Sequence, residues 1–174
     1  YDTLILPDDT TDMMVGDEDA IKKRLQNMPV PEKYRSSFGE SGVEAISTFV
    51  ENGGTLIAIN NACRFAIDKL GLQVTNVVSG RPSKAFYCPG SMLRVRINTS
   101  HPLGYGMPEQ ALVMHWHSPV FSVNPSYYND QYEVIASYPE KDVLESGWLI
   151  GEEHLAGRPA MLSVTHGKGR VVLY

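Results

Sequence analysis

Cysteine is scarce in this chain, with two residues in 174, Cys63 and Cys88. That is too few for the disulfide frameworks that hold small, core-poor domains together. Clustered positive charge is missing too. Fifteen Lys and Arg stand against twenty Asp and Glu, for a formal charge of −5, and no basic run offers a surface that could follow phosphates. Nucleic acid is therefore not an expected partner. No stretch approaches the roughly 20 consecutive apolar residues that a membrane span requires, and no signal-peptide pattern opens the chain. Internal repeats and low-complexity tracts are absent as well.

What is present suffices for one core. With 43% hydrophobic residues, residues 1–174 can bury one full core but not two comfortable ones, so a single domain is expected. The chain opens inside an apolar run, Tyr1 to Leu6, and stops inside another, Arg170 to Tyr174, as a piece of a larger protein would.

Leu4-Ile5-Leu6, closed by Pro7-Asp8-Asp9, reads as a strand buried on both faces. About thirty polar residues follow as an irregular excursion with one short helix near Asp19 to Gln26. Ser41-Gly42-Val43-Glu44 fits a capping box. Val43, Ile46, Phe49 and Val50 recur at helical spacing, and Gly53-Gly54 stops the helix. Thr55 to Ile59 is a second buried strand. Asn60-Asn61 turns it into a helix from Ala62 to Leu70, ended by Gly71. This alternation builds parallel sheet packed with helices. Thereafter strands dominate: Met92 to Ile97, Leu112 to Trp116, Tyr132 to Ser137, Ala160 to Val164 and Arg170 to Leu173. The last two are joined by a hairpin through Thr165-His166-Gly167-Lys168-Gly169.

Tyr1 to Pro7 followed by Phe49-Val50-Glu51-Asn52-Gly53-Gly54-Thr55-Leu56-Ile57-Ala58 resembles the class I glutamine amidotransferase-like fold, in which a helix ending in Gly-Gly leads into the strand before a nucleophile elbow. Three later segments narrow the resemblance: Cys88 to Val95, His101 to Pro108, and Ser146 to Glu153 leading to Gly167 to Val171. Together they resemble the C-terminal domain of bacterial secreted zinc carboxypeptidases of the carboxypeptidase A type, over most of residues 1–174. The resemblance implies a three-layer, flavodoxin-like α/β sandwich. Its sheet would be mainly parallel with antiparallel edge strands, its first strand–helix unit would lie upstream of residue 1, and a final helix would follow residue 174. It also implies a secreted or periplasmic location and an upstream peptidase domain as partner. The zinc belongs to that domain, because none of the five histidines here has the Glu three residues later that the peptidase motif requires.

The amidotransferase elbow needs a Cys on a strained turn with a His as base. Here the turn reads Ile59-Asn60-Asn61-Ala62-Cys63, and the resemblance puts Asn61 at the nucleophile position, where an amide cannot attack a carbonyl. A shifted register would make Cys63 the nucleophile. Otherwise Cys63 packs as a small hydrophobe. A Cys63–Cys88 disulfide would suit a secreted protein, and spacing leaves that open.

Other candidates come from the residues alone. His115-Trp116-His117 puts two imidazoles on one face of a strand, where a metal could bridge them, or else is the polar face of an edge strand around a buried Trp116. Asp8, Asp9, Asp12, Asp17, Glu18 and Asp19 lack calcium-loop spacing and read as a solvated acidic loop. Arg94 and Arg96 alternate with Leu93, Val95 and Ile97; they lie on a solvent face or meet the carboxylate of a ligand or neighbouring domain. Tyr127 and Tyr128, with Tyr132 and Tyr138, follow Asn124-Pro125 in a loop and could stack on a sugar or dock on another domain. The expectation is thus a non-catalytic accessory domain that supports a peptidase or contacts cell-wall peptide or glycan. A cysteine-dependent hydrolase or amidotransferase using Cys63 and a stand-alone sugar or metal binder are the alternatives.

Overall fold

The apolar runs of the sequence become the centre of one mixed sheet. The computed structural model describes residues 2–124 and 131–174. Its strands are β1 (Thr3–Leu6), β2 (Thr55–Ala58), β3 (Val74–Asn76), β4 (Pro89–Ile97), β5 (Gln110–Trp116), β6 (Phe121–Val123), β7 (Tyr132–Ser137), β8 (Leu144–Ser146), β9 (Pro159–His166) and β10 (Gly169–Leu173). The order is β1-β2-β10-β9-β7-β4-β5, with β8 beside β4, and β3 and β6 form a separate two-stranded ladder. β10, last in sequence, lies between β2 and β9. β1, β2 and β10 run parallel; every other pairing, from β10·β9 outward, is antiparallel. The expected parallel sheet is therefore confined to three strands. The reason is local: β9 and β10 are joined by Gly167-Lys168, and so short a connection can only reverse the chain.

Among the described residues four α-helices accompany the sheet: α1 (Thr11–Val15), α2 (Glu18–Asn27), α3 (Gly39–Glu51) and α4 (Ala62–Lys69). Leu6, Leu56, Ala58, Val171 and Leu173 share one face of the parallel strands by register. They form a continuous core with Val43, Ile46 and Val50 of α3 and with Ala62, Cys63, Phe65 and Ala66 of α4. The alternate residues Ile5 and Ile57 lie outside that cluster, and Ile5 is 56% exposed. Among the described residues, then, helices back this part of the sheet on one face. The β1–β2 and β2–β10 crossovers move along the sheet in the same direction, and right-handed crossovers of that kind put their helices on the same side.

A second, smaller core joins Leu93, Val95, Val120, Tyr138, Val143 and Leu155 in the antiparallel half. The polar excursion after β1 is more regular than expected. It holds α1 as well as α2, and Asp17 caps α2 by accepting the Ala20 N–H at 2.8 Å. The Ser41 capping box is not used. α3 starts at Gly39, after Phe38, whose ring meets Phe65 edge-on at 5.5 Å, so tertiary packing sets the start of the helix. No helix among the described residues is long and apolar enough to cross a membrane.

Candidate functional site

Because β1, β2 and β10 are parallel, their carboxyl ends meet at one edge of the sheet, the place where α/β folds gather ligands. Pro7-Asp8 leaves β1 there, Asn60-Asn61 leaves β2, and Tyr174 follows β10. The turn after β2 is held tightly. Asn60 takes the left-handed conformation (φ 55°), which Asn tolerates better than most residues, and its N–H donates to the Tyr174 carbonyl at 2.7 Å. The Asn60 amide nitrogen donates to Asp8 Oδ2 at 3.0 Å and to the Trp116 carbonyl at 3.1 Å. Asp8 Oδ1 accepts from the Asn61 backbone at 3.1 Å and from its side chain at 2.9 Å. The strand-to-helix turn is thus left-handed at Asn60, and the side-chain amides of Asn60 and Asn61 are both tied to a carboxylate of the same chain. Asp8 is the site residue that sequence reasoning missed. The available signal was that Pro7-Asp8 and Asn60-Asn61 close two adjacent parallel strands at the same end.

Cys63 is the second residue of α4 and is 1% exposed. Its thiol faces the carbonyls of Ala58 (3.2 Å) and Tyr174 (3.4 Å), and burial pushes its pKa up to about 12. Such a thiol stays protonated at neutral pH. Cys63 and Cys88 are both free and buried, and belong to different cores; burial also pushes the Cys88 thiol up.

His115 and Trp116 exchange the places expected of them. His115 is 2% exposed and Trp116 53%. β5 pairs Ala111, Val113 and His115 with Val95, Leu93 and Ser91 of β4, all buried. That pairing turns Leu112, Met114 and Trp116 outward. His117 falls beyond the strand end with φ 56° and is exposed, so the pair does not share a strand face. Among the described residues no cluster of three or more His, Cys, Asp or Glu is placed to hold a metal. Neither ring nitrogen of His115 makes a side-chain hydrogen bond of ordinary geometry, while the backbone at His115 and Cys88 favours the protonated ring. Burial lowers its pKa to about 4, with a further contribution from His117, so the ring is neutral near pH 7.

Two clefts flank this ring. One, of about 400 Å³, lies beside Asn61, Arg81, Tyr87 and His117. The other, of about 430 Å³, runs along β5 and is lined mainly by apolar side chains.

The remaining candidates are structural or outside the described residues. Arg94 forms an ion pair with Glu145 and donates to the carbonyls of Asp142 (2.7 Å) and Leu144 (2.6 Å). The carboxylate it meets is its own chain's, and it fastens β8 to β4. Arg96 is exposed on the same face. Tyr132 and Tyr138 are buried, not displayed, and the Tyr132 hydroxyl accepts the Gln73 N–H at 3.1 Å. Tyr127 and Tyr128 lie outside the described residues.

No known family model and no curated protein sequence matches the chain. Solved structures do. Two cytoplasmic proteins of Salmonella typhimurium superpose with TM-scores of 0.54 and 0.53, each at 14% identity, over 99% of this chain and 58% and 59% of theirs. A ThuA-like protein from Parabacteroides merdae superposes less well, with a TM-score of 0.48 and 13% identity over 79% of this chain and 55% of its own. This chain spans little more than half the length of these three structures, and what it shares with the Salmonella pair is a mixed α/β fold.

Proposed function

We propose that this chain is a non-catalytic accessory domain of the class I glutamine amidotransferase-like type, with its first flavodoxin-like strand–helix unit upstream of residue 1. In this reading it is carried by a secreted or periplasmic zinc carboxypeptidase, whose activity is peptide hydrolysis. The observation that carries the proposal is the elbow. Asn60, left-handed, joins a buried parallel strand to a helix on a strained turn like that of a nucleophile elbow; the resemblance puts the reactive position at Asn61, which is right-handed, and the side-chain amides of both residues are hydrogen-bonded to Asp8. The nearby thiol is buried and protonated. In this reading the zinc belongs to the upstream peptidase domain; in this chain His115 is sealed in the core side of β5 while His117 leaves the strand, so these two histidines do not share a strand face. The large apolar side chains exposed along β5, together with the helix-free face at Ile5, support a role in contacting other protein or a polymer such as cell-wall peptide or glycan.

The test compares the complete parent protein with the same protein truncated just before this domain, on a small peptide and on an insoluble cell-wall substrate. We expect truncation to spare the peptide activity and to cripple hydrolysis of the polymer. Equal activity of both forms on both substrates removes the substrate-contact role. A parent with no peptidase activity removes the carboxypeptidase assignment. Alkylation separates this reading from cysteine chemistry: iodoacetamide at pH 7.5 should leave Cys63 unmodified in the folded protein, and rapid modification there would argue for a nucleophile.

A further inference from the structure

β5 is the open edge of the antiparallel half. Among the described residues it pairs with β4 and with no other strand. An open edge presents a row of backbone groups without partners, and their phase can be read here. The Ile97 N–H donates to the Glu109 carbonyl at 2.8 Å, whereas Arg94 and Asn98 donate away from β5, to the carbonyls of Val143 and Ile135, each at 2.8 Å. The odd-numbered residues of β4 therefore bond to β5, and by register their mates there are Ala111, Val113 and His115. The even-numbered residues of β5 then turn N–H and C=O to the free edge. Those of Trp116 are taken, by the Ser118 hydroxyl (3.3 Å) and by the Asn60 amide (3.1 Å). Those of Leu112 and Met114 are left for another strand.

Edges that stay single are usually guarded by Lys, by Pro or by an inward charge. β5, from Gln110 to Trp116, contains no Lys, Arg, Asp, Glu or Pro, and Leu112, Met114 and Trp116 are exposed along it, with Leu103, Met107 and Tyr174 exposed in the cleft beside it. An apolar surface of this kind marks contact with another protein. The strand is moreover complementary to itself. Laid antiparallel over its full length against a second β5, Val113 sits on a two-fold axis. Leu112 of each copy then faces Met114 of the other, and their free N–H and C=O groups are in phase to exchange four hydrogen bonds. Their side chains form one apolar cluster across the axis. No like charges meet. Just beyond the strand ends, the same register brings the Glu109 carboxylate towards His117 of the second copy, both exposed, so that an acid faces a ring able to donate to it.

We infer that β5 is a homodimer interface, at which two copies of this chain join edge to edge about a two-fold axis at Val113 and continue one sheet through both. The inference stands apart from the accessory-domain reading, and activity measurements on the parent do not bear on it. Four backbone hydrogen bonds and one row of apolar side chains make a small contact, well below the size of permanent interfaces, so the dimer dissociates on dilution.

The test is sedimentation equilibrium on residues 1–174 from about 5 to about 500 µM, a range suited to a small interface. The mass is expected to rise from that of one copy, 19.3 kDa, to twice that and no further. Because the Met114 N–H faces the free edge, Met114→Pro removes a donor from the interface and none from the β4 ladder, and should weaken association at least tenfold. Leu112→Lys and Met114→Glu each set a lone charge in the apolar cluster and should do the same. In their equimolar mixture this register puts the introduced ammonium opposite the introduced carboxylate, and association should return to within about threefold of the unsubstituted chain. Should Met114→Pro not fold, the two charged variants and their mixture decide. The inference is overturned by a chain that stays monomeric throughout, which would leave the edge to a different protein, or by growth past the dimer. It is also overturned by a dimer that the charged variants leave intact, or by a mixture no stronger than its components.

Discussion

From β1 to β10 the sheet is parallel and backed by α3 and α4, and its inward residues Leu56, Ala58, Val171 and Leu173 are wholly buried. From β9 to β5 it is antiparallel, has the smaller core, and ends in an edge strand whose outward residues Leu112, Met114 and Trp116 are each more than half exposed. The difference lies in how each half obtains its second layer. A parallel strand needs a crossover, and the crossover brings a helix back over the sheet. An antiparallel strand returns through a turn and brings no cover, so its face depends on loops or on another molecule. The first half is built for stability, and the second carries the surfaces with functional potential.

The largest effect that sharpens this contrast is expected from Phe65→Ala. Phe65 is fully buried where α4 meets Phe38, and its loss should cost about 3 to 5 kcal/mol, read as a lowered urea midpoint. Next comes pH, through the antiparallel half. The folded-state pKa of His115 is lowered from 6.5 to about 4, so between those values the unfolded chain binds more protons than the folded one. Stability is then fully present above about pH 6.5 and falls as pH drops towards 4, by about 3 kcal/mol for this group. His115→Leu should flatten that part of the profile, measured as ΔG of unfolding at pH 4.5 and pH 7. Asp8→Ala frees three donors of the elbow and, at an exposed site, should cost roughly 1 to 2 kcal/mol; unaltered stability would show that the turn holds without its carboxylate. Smallest of all, Met114→Ser, on a side chain 60% exposed, should stay within about 0.5 kcal/mol. A larger loss would mean that β5 is covered in solution.

The parallel half was legible because its signals are continuous and local. Leu4 to Leu6 and Thr55 to Ala58 are uninterrupted apolar runs, and Gly53-Gly54 marks where α3 gives way to β2. The antiparallel half was legible in outline only. β3, β6 and β8 are three residues each, too short to carry a period. In β5 the sequence Met114-His115-Trp116 offers two opposite phases, and intuition buries the Trp. The phase is instead fixed by Leu93 and Val95 of the partner strand, information that no single strand contains. At the site, the Asn60-Asn61 turn between β2 and α4 could be read from the sequence. The role of Asp8 needed one step more, because 52 residues separate it from Asn60 and only the parallel pairing of β1 with β2 brings them together.

The position of β10 has a consequence for how the two halves are coupled. Among the described strands β10 alone pairs with both β2 and β9, so the parallel and the antiparallel half of the sheet share backbone hydrogen bonds through Gly169 to Leu173 and through no other strand. Were these five residues to leave the sheet, each half would be left with an open edge, and the protein would behave as two weakly joined pieces in place of one cooperative unit.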